Sequence, residues 1–259
     1  MIQDIKNIRK NIVKMAHYSC ASHIGAALSA VEILYVLYFR IMNITPQNVK
    51  SIDRDKFIMS KGHACIALYT TLAQKGIIPV EYLDKYYIDG GVLTGHLDNQ
   101  SIAGVDCAAG SLGHGLSVGI GMAIAKPSHN VYVLMGDGEC DEGSVWEAIM
   151  LLGQLKLANI TVIIDENKLQ GFGYTKDIIN QSNLAEKIKP FGFEVIEVDG
   201  HSVEELENAF NKKSEKPKAI IAHTIKGKGV SFMEDELKWH YKSPNDEELE
   251  IALAEIDAR

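Results

Sequence analysis

Apolar residues recur along the chain with two alternating periods. A spacing of three and four, the mark of one helix face, predicts helices over residues 2–18, 28–42, 62–75, 113–126, 142–157 and 202–212. Between them lie short β-branched runs that predict strands: KFIMS at 56–60, VYVLMG at 131–136, ITVIID at 160–165, FEVIEV at 193–198 and AIIAHT at 219–224. These runs are continuously apolar, as strands buried on both faces must be. Helix and strand in turn predict an α/β fold, a parallel sheet with helices on both faces, whose ligands sit at the carboxyl ends of the strands. No repeat, low-complexity segment or linker interrupts the pattern, so a single domain is expected over 1–259. Its acidic helical tail, about 244–259, suits packing on a neighbour better than chemistry.

Composition narrows the ligand classes. With 259 residues, 46% hydrophobic and 23% charged, the chain has ample core. A formal net charge of -8 argues against nucleic acid and anionic membranes, which are bound through dense Lys/Arg patches. No apolar run approaches the roughly 20 residues of a membrane span, and the first fifteen residues follow an amphipathic helix pattern, so a cytoplasmic protein is expected. Cys20, Cys65, Cys107 and Cys140 are scattered with no CxxC, which favours core or incidental thiols over zinc or a disulfide framework.

The densest candidate chemistry lies in VYVLMGDGECDEGSVWEA, residues 131–148, where Asp137, Glu139, Asp141 and Glu142 crowd a strand's carboxyl end. The helix that follows would suit a phosphate, but a bare anion would meet like charges there. A divalent cation resolves the conflict, because Mg²⁺ takes one or two hard oxygen side chains and fills its shell with phosphate oxygens. The next strand ends in Asp165-Glu166-Asn167 before a loop with Gly171 and Gly173. Adjacent strand ends lie about 5 Å apart, so Asp137 and Asn167 can share one ion.

Gly-Asp-Gly followed by an Asn thirty positions on resembles the thiamine-diphosphate motif. The surrounding blocks are similar to the transketolase family, in family order over nearly the whole chain: SKGHA at 60–64, TGHLD at 94–98, GSLGHGLSVGIGMA at 110–123, DENKLQGFG, HTIKGKGVSFMED and KWH at 238–240. Only the diphosphate-binding third of a full transketolase is matched; the pyrimidine-binding and C-terminal domains have no counterpart. The resemblance implies that Asp137, Asn167 and the main-chain carbonyl of Leu169 ligate Mg²⁺ or Ca²⁺, with Gly138 against the diphosphate. It implies that His63, Gly110, Ser111, Leu112, Lys226 and His240 line the cofactor. His23, His63, His96 and His240 match the family's active-site histidines, and Glu142 an acidic residue at the subunit interface that helps link two active sites.

Moving a two-carbon ketol unit requires protons to leave and return near neutral pH, which suits imidazoles. Lys226 and Lys228, spaced by glycines after a strand, suit an anion. Departures from the family point to a specialised donor or acceptor: Ile24 stands where proline is usual, Ala26 where a polar residue is frequent, and His114 where glutamine is common. The expectation is therefore the N-terminal subunit of a split transketolase, with two copies of each chain, active on sugars only with a second polypeptide. The alternatives are part of another thiamine enzyme, such as a deoxyxylulose-phosphate synthase, or a non-catalytic cofactor-binding protein. A nicotinamide module is disfavoured because GDGECD lacks the third glycine of GxGxxG.

Overall fold

The computed structural model describes residues 1–181 and 183–259. Five strands, β1 (Lys56–Met59), β2 (Val131–Gly136), β3 (Ile160–Glu166), β4 (Glu194–Asp199) and β5 (Lys218–His223), form one sheet in the order β1-β2-β3-β5-β4 with every pairing parallel. The register sets Gly136 opposite Asp165 and Asp165 opposite Ala222. Alternate residues face opposite sides, as the pleat requires. Tyr132, Leu134, Ile163, Ile220 and Ala222 enter one core, whereas Val131, Val133, Met135, Val162, Ile164, Ala219 and Ile221 enter the other.

The first core is covered by α1 (Ile2–Tyr18), α2 (Ile24–Ser29), α3 (Val31–Val36), α4 (Cys65–Gln74), α9 (Val203–Asn211) and α10 (Asp246–Ala258). On the opposite face α5 (Gly115–Ala125), α6 (Gly143–Leu155) and α8 (Leu184–Ile188) close the second, and the short α7 (Thr175–Ile178) follows β3. α1 buries Ile8, Ile12, Val13, Met15 and Ala16, the spacing of one helical stripe. The tail helix α10 packs against α1 and opens with a capping box between Asn245 and Glu248. Among the described residues no helix is long and apolar enough to cross a membrane.

The predicted helix over 28–42 differs most. Helix begins at Ile24, is interrupted at Ala30, and ends in a π-helical turn over Leu37–Ile41. Residues 24–38 are all buried, so no exposed polar face reveals where the first turn begins. All four cysteines are free, with Cys65 and Cys140 buried and Cys20 exposed.

Candidate active site

The four carboxylates at the end of β2 go to four different places. Asp137, 3% exposed, turns its Oδ1 to the Gly138 N–H (2.9 Å) and its Oδ2 to the Lys168 N–H (2.7 Å) and Thr175 Oγ1 (3.3 Å), which fixes it at the foot of a cleft. Glu139 is buried instead as a strut: it accepts from Ser60 Oγ, from the Gly113 N–H (2.9 Å) and from the Gly136 N–H (3.2 Å). Asp141 takes Gln170 Nε2 (2.8 Å), and Glu142 is the exposed N-cap of α6.

The cleft, about 300 Å³, opens across the carboxyl ends of β2 and β3. Its walls include Asp137, Gly138, Asn167, Leu169, Gly110, Leu112, Lys226 and the four histidines His23, His63, His96 and His240. Ring centroids of His23 lie 5.2 Å from His63, 6.1 Å from His96 and 4.8 Å from His240. The expected residues Ser111 and Glu142 do not line it. Ser111 Oγ lies 3.2 Å from His114 Nδ1 in a separate hollow beside Val118, and Glu142 sits next to Gly113. Gly110 and Leu112 on either side of Ser111 do reach the cleft, and just beyond them the Gly113 and Gly115 N–H groups are bonded to Glu139 and Ser60.

Beneath the cleft lies an ion pair that periodicity gives no hint of. Lys61 (1% exposed) meets Asp165 (0% exposed), which also accepts from Ser29 Oγ (2.6 Å) and Thr224 Oγ1. Burial alone would push Asp165 up, but the Lys61 ammonium and these hydrogen bonds hold it below the usual carboxylate range. The opposite happens to Asp137, where burial and then the Asp165 charge push the carboxyl up to about 6. Asn167 Nδ2 faces Asp165 Oδ2 (3.4 Å), which leaves its Oδ1 on the side of the Leu169 N–H (3.1 Å). Sequence reasoning missed Lys61, and it named Glu139 among the crowded carboxylates without a role. The available signal was a lysine set directly behind an apolar strand, in KFIMSK, where a solvated charge does not belong.

The floor suits a cation with a diphosphate. Asp137, Asn167 Oδ1 and the Leu169 carbonyl are all hard oxygens, and a carboxylate raised toward protonation gains from a positive ion. Close approach is built in, since a Cβ on Gly138 would meet Gln170 Cβ at 2.8 Å. Lys226, 1% exposed, donates to the Leu169 carbonyl (2.8 Å) and lies 3.2 Å from His240 Nδ1. Among the described residues no three His, Cys, Asp or Glu converge as a complete metal site, so an ion here needs oxygens from its ligand.

Three of the four histidines, His23, His63 and His240, are held toward the neutral form. Burial, then the charges of His96 and Lys226, lowers His23 to about 4; burial, then Lys226, lowers His240 to about 3; and burial, then Lys61, takes His63 well below its ordinary value. Neutral imidazoles can accept as well as donate protons.

A parallel sheet with a carboxylate, an amide and a lysine at its strand ends, ringed by histidines, defines a thiamine-diphosphate-binding α/β domain. Residues 1–255 match the family described as transketolase, thiamine diphosphate binding domain, and the chain belongs to the transketolase family. It is 42% identical to one of the subunits of the apulose-4-phosphate transketolase from Phocaeicola vulgatus, over 100% of this chain and 94% of that one. It is 40% identical to the 6-deoxy-6-sulfo-D-fructose transketolase subunit SqwG of a Clostridium species, over 91% of this chain and 88% of that one. Among solved structures, a mutant transketolase of Pichia stipitis superposes with a TM-score of 0.91 at 27% identity, covering 98% of this chain but 40% of that one.

Proposed function

We propose that this chain is the diphosphate-binding subunit of a two-chain transketolase that moves a two-carbon ketol unit from a ketose phosphate to an aldose. The observation that carries it is the convergence of His23, His63, His96 and His240 on one cleft whose floor is Asp137, Asn167 and the Leu169 carbonyl. Its match over most of their length to relatives named as transketolase subunits supports a partner chain, to which we assign the pyrimidine-binding and C-terminal domains. The closed symmetry of most oligomers supports two copies of each chain.

Asp137, Asn167 and Leu169 would hold Mg²⁺ or Ca²⁺, and Gly138, Gly110, Leu112 and Lys226 would border the diphosphate. Thiamine diphosphate supplies a carbanion able to accept and release the ketol unit. The chain's own work is to bind one end of the cofactor and to move protons. By their motif positions His63 and His240 exchange protons beside the cofactor, while His23 and His96 face the sugar's hydroxyl groups. Gripping the diphosphate fixes one end of the cofactor, and a second polypeptide covers the other.

Mixing tests this reading. Ketol transfer to an aldose phosphate is expected only when this chain and its partner are combined with thiamine diphosphate and Mg²⁺. Turnover by the purified chain alone at the rate of the mixture would overturn it.

A further inference from the structure

An ion pair and a histidine from three elements meet in the first core. Arg9 on α1 grips Glu32 on α3 with both terminal nitrogens, Nη1 to Oε1 at 2.7 Å and Nη2 to Oε2 at 2.8 Å. His201, in the turn between β4 and α9, places Nδ1 3.0 Å from Glu32 Oε2. All three are nearly closed to solvent, with side-chain exposures of 7%, 9% and 12%. Burial alone would push the Glu32 carboxyl up, but Arg9 and His201 hold it down to about 2.

What the trio holds is the loop after β5. The Ile225 N–H donates to His201 Nε2 (2.9 Å), and Arg9 Nε donates to the Lys228 carbonyl (3.0 Å). A main-chain N–H only donates, so Nε2 must be the bare nitrogen and Nδ1 must carry the proton toward Glu32. The trio's two outputs are thus main-chain atoms on either side of Lys226. The loop fits closely: Gly229 (φ +102°) passes so near that a Cβ there would meet Arg9 Nε at 2.6 Å. A buried ion network adds little stability over an apolar packing of the same volume, because desolvation offsets the attraction. Its geometric product is therefore the better account of it.

We propose that Arg9, Glu32 and His201 are positioning residues that clamp the loop at Ile225 and Lys228 and so aim the Lys226 ammonium into the cleft. The clamp's action on the loop stands on these contacts, whereas its consequence for the cofactor rests on the reading under Proposed function.

The test compares the full chain with His201→Phe, which removes both hydrogen bonds, and His201→Gln, which keeps one donor and one acceptor. Amide hydrogen exchange over residues 224–229 is measured on the chain without cofactor, and thiamine diphosphate affinity with Mg²⁺ by calorimetry on the chain combined with its partner. His201→Phe should speed exchange at Ile225 and weaken cofactor binding, each about tenfold, the lower end of what orienting partners contribute. His201→Gln should recover most of both. Unchanged exchange in His201→Phe overturns the clamp, as does equal loss of protection across β2, β3 and β5 with no recovery in His201→Gln. Faster loop exchange with unaltered cofactor affinity overturns the role toward Lys226. If the wild-type chain combined with its partner binds no thiamine diphosphate, it is the cofactor reading that fails, and loop exchange still decides the clamp.

Discussion

The floor of the cleft and its histidine rim are built on opposite principles. On the floor, Asp137, Glu139, Asp165 and Asn167 are at most 4% exposed, and each is held by main-chain N–H groups or by neighbouring side chains. On the rim, His23 has Ser22 Oγ at 2.9 Å from Nδ1 and His240 has Lys226, while His96 is exposed. Rigid, pre-satisfied oxygens suit a ligand of fixed geometry such as an ion with its diphosphate, and they need no rearrangement to receive it. Half-open imidazoles suit a ligand whose hydroxyl groups come and go.

The sharpest test of the contrast is on the floor. Asp137→Ala should weaken Mg²⁺-dependent thiamine diphosphate binding by more than about 100-fold, since outer partners of a metal ligand already contribute 10–100-fold. Calorimetry showing wild-type affinity would dissolve the distinction between floor and rim.

On the rim, His96→Ala in the assembled enzyme should cut turnover by about 10²-fold, within the usual contribution of a proton-transfer group. Cofactor affinity should stay within about threefold of wild type. A loss confined to cofactor affinity would move His96 from the rim to the floor.

The smallest effect is the cost of holding the floor in place. Asp137 has a folded-state value of about 6 against an ordinary 3.8, so the folded chain binds this proton more tightly than the unfolded one. Its contribution to stability is full below about pH 4 and is lost as pH rises through about 6, a difference of about 3 kcal/mol. Measured without metal or cofactor, the melting temperature of Asp137→Asn relative to wild type should rise by about 5 °C between pH 4 and pH 7.5. A relative melting temperature that does not move with pH would show that the carboxylate is not held against its preference.

Much of the frame is legible in the sequence, because burial on both faces of a parallel sheet leaves unmistakable apolar runs. VYVLMG is β2 to the residue, and ITVIID and AIIAHT meet β3 and β5 within one residue at each end. Within the site, the nearness of Asp137 and Asn167 follows from adjacent parallel strands, whereas the gathering of the histidines does not follow from spacing. His96 reaches the cleft from irregular chain between α4 and α5 that has no period to read. Glu139 and Asp137 are two residues apart, look alike in GDGECD and both border the cleft, yet Glu139 is tied to the neighbouring loops as a strut while Asp137 is tied to the chain after β3. The difference lies in Ser60 and Gly113, which are distant in the chain and invisible to any local pattern.

His23 stands in the left-handed region of backbone space, at φ 69° and ψ 15°, with its N–H bonded to the His240 carbonyl. For any side chain but glycine that conformation costs roughly 1 kcal/mol. Endurance and chemistry are thus opposed at this single position. A laboratory population selected only for survival of heat would drift toward glycine at residue 23, gaining a relaxed turn while shedding the ring that faces His63, His96 and His240. The same population required also to retain the chemistry of the cleft would keep the strained histidine and seek its heat tolerance elsewhere in the fold.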